Sequence, residues 1–133
     1  MRGIEPEGWA PPKGYSNGTL AEGRLLHVAG QVGWDPKTGR FEARGFVEQA
    51  AQALRNVLAV VEAAGGGPEH VARLTWYVTD KREYLARSRE MGEAYRAAMG
   101  RRFPAMTMVV VAGLVEDEAL VEIEAMAVLP AEG

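Results

Sequence analysis

Two carboxylates stand out among the side chains of this sequence that could carry out chemistry. Glu122 and Glu124 lie two positions apart in a β-prone run from residue 120 to residue 129. Because side chains alternate between the two faces of a strand, both carboxylates face the same way. A carboxylate in a partly dry cleft can activate a water molecule, whereas an interface carboxylate would pair with an arginine of a neighbouring subunit. Both interpretations stay open for Glu122, and the structural one is favoured for Glu124.

Residue types for other common chemistries are missing or isolated. Cysteine is absent, which excludes disulfide scaffolds, thiolate zinc sites and cysteine nucleophiles. His27 and His70 are the two histidines and lie far apart in the sequence, and no spacing of His, Asp and Glu is typical of a metal site. Ser16 and Ser88 have no evident base that would complete a catalytic triad. We therefore predict no metal site.

Charge and hydropathy limit the possible partners. The formal net charge is −3 and the pI is about 5.5, whereas nucleic-acid binding usually needs a basic surface for phosphate contacts. No apolar run approaches the roughly 18 residues of a membrane-spanning helix, and the first residues lack the apolar region of a signal peptide. We expect a cytoplasmic enzyme or binding protein that contacts neither nucleic acid nor membranes.

The elements that must position these residues follow from composition and hydrophobic periodicity. Residues 1–18 are rich in Gly and Pro, which predicts an irregular N-terminal arm within one domain spanning residues 1–133. Residues 19–21 and 24–29 are β-prone, and the intervening Glu22-Gly23 is typical of a two-residue hairpin turn. From Phe46 onward, apolar residues recur every three or four positions, which predicts an amphipathic helix that ends at about Gly65.

The second half of the sequence predicts three strands and one more helix. Residues 71–78 alternate as a strand does, and a helix should begin after an N-cap at Asp80 and extend to about Met99. Residues 105–112 and 120–129 are two further β-rich runs. This order of elements closes most simply as two helices packed on one face of a mixed sheet, an α+β fold.

The last strand predicts different surroundings for its two faces. One face is wholly apolar and belongs beneath the helices; it consists of Val121, Ile123, Ala125, Ala127 and Leu129. The other face mixes large apolar residues with the two carboxylates, and both faces of residues 105–112 are largely apolar. Because a solvated sheet face would be more polar, we predict that copies of the chain cover it. The alternative is a well-covered core in a monomer.

Four stretches together resemble the YjgF/Rid superfamily, which includes the reactive-intermediate (enamine/imine) deaminases. The stretches are Gly14-Tyr15-Ser16, residues 28–32, residues 56–65, and Phe103-Pro104-Ala105 together with residues 121–127. They occur in the family's order between about residue 14 and residue 129. The resemblance implies a chorismate-mutase-like fold, with a mixed sheet of about six strands, two helices on one face and a homotrimer built on the other.

The resemblance also implies an activity. Members of the deaminase branch hydrolyse 2-imino acids to 2-keto acids and ammonia in clefts between subunits, and they use neither a metal nor an organic cofactor. The family tyrosine that lines the cleft corresponds to Tyr15, and the backbone turn at the cleft corresponds to Gly30 with Gln31 beside it. The residue before this turn, often serine in the family, is Ala29. The glutamate that orients the attacking water corresponds to Glu122.

One position departs from the family pattern in a way that affects substrate binding. The arginine that grips the substrate carboxylate should follow Pro-Ala, and this chain has Met106 there. An arginine fork supplies two charge-assisted hydrogen bonds, whereas a thioether offers only soft apolar contact. The chain thus resembles an arginine-less branch, for which we expect little activity on small 2-imino acids.

Other candidate ligand contacts have structural alternatives. Trp34 lies beside glycines and could wall a pocket or anchor a loop on the core, and Tyr15 could contact a ligand or merely pack. Arg73 and Arg101 could replace the missing arginine, although solvated surface charge is the favoured interpretation.

Three functions remain open from the sequence. The first is a hydrolase of imine or enamine metabolites, aminomuconate-type substrates included. The second is a trimer that binds a small carboxylate without turning it over. The third is a ribonuclease or translation inhibitor, against which the acidic pI counts.

Overall fold

A computed structural model describes residues 1–132 as a four-stranded sheet with helices on one face and a separate two-stranded sheet. A 3-10 turn, Pro68–His70, precedes the fourth strand. The strands and helices are β1 (Arg2–Ile4), β2 (Gly18–Leu20), β3 (Arg24–Val32), α1 (Phe46–Ala63), β4 (Val71–Val78), α2 (Lys81–Ala86), α3 (Ser88–Met99), β5 (Ala105–Val110) and β6 (Val121–Leu129). Within the described part of the chain, no helix has the length and apolar character that crossing a membrane requires.

The main sheet has the strand order β3-β6-β4-β5. Strand β6 pairs antiparallel with both β3 and β4, whereas β4 and β5 are parallel. This mixed sheet agrees with the predicted α+β class. The sheet of about six strands that the resemblance implies is divided, because β1 and β2 pair only with each other.

The predicted hairpin between β2 and β3 is wrong. Strand β2 pairs with β1, and β3 begins by pairing Arg24 with Leu129 of β6. Gly23 adopts a φ of 148°, and a Cβ atom there would collide with the carbonyl oxygen of Leu129. A glycine is therefore needed at position 23 because the backbone passes close to the end of β6. From the local sequence alone, such a glycine looks the same as one in a hairpin turn.

The N-terminal arm is more ordered than its composition predicts. Strand β1 lies within it, and Ser16 forms an isolated parallel bridge with Ala105 at the start of β5. The Ser16 backbone N–H donates to the Pro104 carbonyl at 3.1 Å, and its hydroxyl donates to the Phe103 carbonyl at 2.5 Å. These bonds fix the arm beside β5.

The core lies between the sheet and the helices, on the face that the sequence predicts. Helix α1 packs on β3 and β6, and α3 packs beside α1. All five residues of the apolar face of β6 are buried, from Val121 to Leu129. Helix α1 ends as predicted, because Gly65 adopts a left-handed φ of 91° directly after its C-cap. The prediction of which β6 face belongs beneath the helices is confirmed.

The second predicted helix is divided into α2 and α3 at Arg87. Its N-cap is as predicted, since the Asp80 side chain accepts from the Arg82 backbone N–H at 2.9 Å. Arg87 leaves helical geometry, with φ −121° and ψ 30°, and its guanidinium donates two bonds of 3.1 Å to Glu48 of α1. This ion pair lowers the pKa of Glu48. The break between α2 and α3 coincides with this contact to α1. The pattern of apolar residues in residues 81–99 alone cannot predict such a contact.

The opposite face of the sheet is half polar and half apolar, and no element of the described chain covers it as α1 covers the first face. On β6 the residues Glu122, Glu124, Met126 and Val128 are all only partly buried. The Tyr77 hydroxyl donates to Glu124 Oε1 at 2.5 Å, and this bond raises the pKa of Tyr77. We call this surface of β3, β6, β4 and β5 the open face.

Replacing Asn56 with alanine should destabilise the protein by about 2–3 kcal/mol, because Asn56 is buried and its Nδ2 donates to the carbonyls of Val32 and Trp34 at 3.1 and 3.0 Å. Urea unfolding at fixed protein concentration measures the change. Gln52→Ala is the control: Gln52 is only half-buried and bonds the same asparagine, so its loss should cost below about 1 kcal/mol. Equal losses in both variants would contradict this role of Asn56.

Candidate functional site

A cavity of about 380 Å³ lies between the arm, α3 and β5. Its aromatic and thioether lining includes Tyr15, Trp76, Tyr84, Tyr95, Met106 and Met108. Lys13 and Arg96, both exposed, are the charged residues of its wall. The cavity is thus largely aromatic and thioether in character, with positive charge near its solvent side.

The bridge between the arm and β5 brings Tyr15 and Met106 to this cavity. Ser16 pairs parallel with Ala105, and both Tyr15, which precedes Ser16, and Met106, which follows Ala105, line the cavity. Met106 pairs in register with Leu74 and packs against the buried core on the helix side. Met106 therefore belongs to the helix-covered face of the sheet.

The aromatic part of the wall is held by packing. Tyr95 stacks on Phe103 with ring centroids 5.7 Å apart, and its hydroxyl donates to the Arg102 carbonyl at 2.5 Å. Burial raises the pKa of Tyr95 far above its usual value, so that the phenol stays neutral. Tyr84 packs edge-on against Phe46 of α1. These rings are fixed in place without a ligand.

A second group forms where β3 bulges against β6. Val28 pairs with Ala125 and Gln31 with Ile123, so that two residues of β3, Ala29 and Gly30, oppose one residue of β6. Such a bulge re-aims the backbone and is common beside functional sites. The Gln31 side chain folds back on the bulge, where its Nε2 donates to the Ala29 carbonyl at 3.1 Å.

The bulge places Gly30 against Glu122. A Cβ atom at Gly30 would lie 2.5 Å from Glu122 Oε1, so any other residue here would push the Glu122 side chain out of this position. Glu122 pairs with Val32 on one side and with Tyr77 on the other, and it is partly buried. The carboxylate therefore rests on the backbone of the bulge.

The two groups lie on opposite faces of the sheet. Glu122 belongs to the open face, because its neighbours Val121 and Ile123 are buried beneath the helices. Tyr15 and Met106 line the cavity on the helix side. Within one chain, Tyr15 lies with Met106 and Gly30 lies with Glu122, and the sheet separates these two groups. Gln31 pairs with Ile123 and stays at the bulge.

Trp34 is placed apart from the cavity. Its ring packs against Phe41 at 5.9 Å in a small second core, and its carbonyl accepts from Asn56. This is the geometry of a loop anchor. Arg73 lies on the open face, with Nη2 3.4 Å from Thr75 Oγ1, and Arg101 is exposed; neither contributes to the cavity lining.

Several residues of the cavity wall are not among the candidates that the sequence indicates. Trp76 lies in the predicted strand of residues 71–78 and is 3% exposed, but it also walls the cavity. Met108 lies two positions after Met106 and so shares its face, a signal that alternation alone could have supplied. The contribution of Arg96 depends on how α3 packs, which the sequence does not encode locally.

Comparisons with known proteins agree over most of the chain. A family model described as "Endoribonuclease L-PSP" matches residues 7–129. A RutC family protein of Pyrococcus horikoshii is 35% identical over 116 residues, which cover 87% of this chain and 88% of that protein. The 2-iminobutanoate/2-iminopropanoate deaminase of Capra hircus is 34% identical over 114 residues, which cover 86% of this chain and 79% of that protein.

The fold comparison gives the same answer. A crystal structure of a conserved Rid family protein from Yersinia pestis superposes with a TM-score of 0.80 at 34% sequence identity, covering 96% of this chain and 98% of that one. The predicted α+β, chorismate-mutase-like fold is thereby confirmed. With matches in sequence and in structure that span nearly the whole chain, this protein belongs to the YjgF/RutC/Rid family.

Proposed function

We propose that the chain is a deaminase-like hydrolase of imines or enamines, and that its active site forms where copies of the chain meet in a homotrimer. The observation that carries the proposal is the separation of the two residue groups by the sheet. Tyr15 and Met106 of one copy can meet Gly30 and Glu122 only if those belong to a second copy. The similarity to a 2-iminobutanoate/2-iminopropanoate deaminase supports the reaction class.

The exposed surface supports assembly. Strand β5 is an edge strand, and Met108, Val109 and Val110 are 36, 41 and 54% exposed on it. An apolar edge strand left open in solution favours unwanted pairing, and a contiguous apolar surface typically marks an interface. Contact between copies would cover both β5 and the open face.

The proposed chemistry is hydrolysis of a carbon–nitrogen double bond. Glu122 takes a proton from a water molecule while the water oxygen bonds to the imine carbon. That proton passes from Glu122 to the nitrogen, which gives a carbinolamine. The hydroxyl proton of the carbinolamine then moves to the nitrogen, through the same carboxylate, as the carbon–oxygen double bond forms and the carbon–nitrogen bond breaks. Ammonia leaves and a keto group remains. The backbone of the bulge at Gly30, which lies against the carboxylate, would orient the substrate.

Met106 keeps a second function open. Without an arginine at this position, the proposed site lacks a fork for the substrate carboxylate, and a trimer that binds a small carboxylate without turnover would tolerate that loss. The description of the matching family model names an endoribonuclease, but a net charge of −3 offers little attraction for RNA.

Val109→Asp should prevent assembly, because Val109 pairs with Tyr77 and so shares the open face, where a buried carboxylate would be unpaired. Sedimentation should show wild type at about three times 14.4 kDa and the variant at lower mass. Val115→Asp is the matched control at a position that is 97% exposed, and it should remain assembled. A wild-type monomer would overturn the shared site.

Glu122→Gln should lower turnover of an imine by 100-fold or more, since a general base typically contributes roughly 10²–10⁴-fold. The imine is generated in place by an amino-acid oxidase, and ammonia release is followed. Glu124→Gln is the control, because Glu124 is held by the Tyr77 hydroxyl and an amide oxygen can still accept that bond. A similar loss in both variants would show that the carboxylates are structural.

Met106→Arg should raise kcat/KM for the imine of pyruvate by tenfold or more, because a carboxylate partner in a desolvated site is worth about 2–5 kcal/mol. Met106→Gln, which is polar but uncharged, should give no comparable gain. Melting temperatures of both variants verify that they fold. Rapid wild-type turnover of this small imine, with no gain from the arginine, would contradict the argument about Met106.

A further inference from the structure

One buried donor of the cavity has no partner. Among residues 1–132, Trp76 Nε1 is the buried side-chain nitrogen or oxygen that lacks a hydrogen bond, and Trp76 is 3% exposed. Leaving a buried N–H unpaired costs stability, and a phenylalanine would fill much of the same space without that cost. The orphan N–H therefore calls for a role other than packing.

The surroundings of Trp76 allow a ligand to reach it. Trp76 walls the cavity and pairs in register with Met108, so the two side chains lie next to each other on the same face of the sheet. Met106 lines the cavity on the same strand. Methionine side chains are flexible and adapt to what they contact, and binding at the indole N–H requires that Met108 or Met106 shift to let an acceptor reach it.

The rest of the wall selects for an apolar ring. Tyr95 has its hydroxyl engaged by the Arg102 carbonyl and so offers its ring. Met91 and the two β5 methionines add apolar surface. A volume of about 380 Å³ is in the range of ligand pockets, which are typically about 300–1,000 Å³, and exceeds what a three-carbon acid fills.

Positive charge lies at the exposed part of the wall. Lys13 and Arg96 are both exposed, and Arg96 Nη1 lies 3.2 Å from where a Cβ of Gly92 would be, so its guanidinium lies against α3. A carboxylate can be bound there without an arginine at position 106. The cavity thus has a cationic outer part and an apolar middle, and the buried N–H belongs to Trp76 of its wall.

From these features we propose that the cavity binds an aromatic carboxylate that carries a hydrogen-bond acceptor on its ring, with the acceptor on Trp76 Nε1–H and the carboxylate toward Lys13 and Arg96. The inference rests on the proposed function only in taking this cavity as the substrate half of the site. Binding itself requires neither Glu122 nor turnover.

The test compares two probes of the same shape. 4-Acetylbenzoate has a carbonyl acceptor where 4-isopropenylbenzoate has a methylene group, and acetate represents a small carboxylate. Calorimetry on the assembled wild-type protein should show 4-acetylbenzoate binding at least about fivefold more tightly than 4-isopropenylbenzoate, as one hydrogen bond to a buried donor predicts. Both should bind at least tenfold more tightly than acetate.

Trp76→Phe should abolish the preference between the two aromatic probes, and Trp9→Phe, in the exposed arm, should preserve it. In wild-type protein labelled with ¹⁵N-tryptophan, which has three indole signals, one N–H should shift downfield with 4-acetylbenzoate and not with its isostere. This readout does not depend on the stability of a variant. Equal affinities with unshifted indole signals would overturn the proposal.

Glu122→Gln separates the two proposals. If this variant keeps the preference for 4-acetylbenzoate and wild type shows no imine turnover, the binding site stands and the hydrolase function fails. If wild type turns over the imine and the aromatic probes bind no better than acetate, the hydrolase function stands and the proposed binding site fails.

Discussion

The alternation of side chains along β6 is the constraint on which the rest of the structure depends. Strand β6 lies between β3 and β4, so each of its residues faces either the helices or the open face. A slip of one residue in register would carry Glu122 into the core and Ile123 out of it. Because an unpaired buried carboxylate costs several kcal/mol, burial of one apolar face fixes the position of the carboxylates on the other.

The same alternation separates the groups that could form a site. Strand β5 pairs in register with β4, so its residues face the same sides as their partners. Met106 and Met108 pair with Leu74 and Trp76 and therefore lie on the helix side. The bulge at Gly30 acts on the opposite side, against Glu122. A single copy of this fold therefore keeps the two groups apart, and in the proposed homotrimer a second copy would join them.

The sequence predicts this fold where short-range pattern decides the outcome. Helix α1, its end before Gly65 and the buried face of β6 follow from periodicity, since each residue's surroundings repeat along the element. The prediction fails where a distant partner decides. Gly23 is next to Leu129 in space, and Arg87 interrupts a helix where it binds Glu48. Neither contact can be predicted from the residues next to Gly23 or Arg87 in the sequence.

For the candidate site, too, the sequence indicates residues but not the contacts that depend on distant parts of the chain. The resemblance to the family indicates Tyr15, Gly30, Glu122 and the unusual Met106, but it cannot show that a bulge presses Gly30 on the carboxylate. An unpartnered indole N–H is still less visible, because the absence of a partner is a property of the whole packed structure.

The thioether of Met106 and the unpaired donor of Trp76 have a common physical consequence in the proposed binding site. A thioether wall gives a small, strongly hydrated carboxylate nothing in return for its lost water, so such a molecule gains little by entering. A ring with an acceptor loses less hydration, gains apolar contact and meets an N–H that is otherwise unpaired. Specificity is a difference between affinities, and here rejection of the small ligand and acceptance of the larger one would arise from the same side chains. In this proposal, Met106 in place of an arginine would change what the cavity selects and would leave the proposed water-activating half of the site, on the other face of the sheet, unaltered.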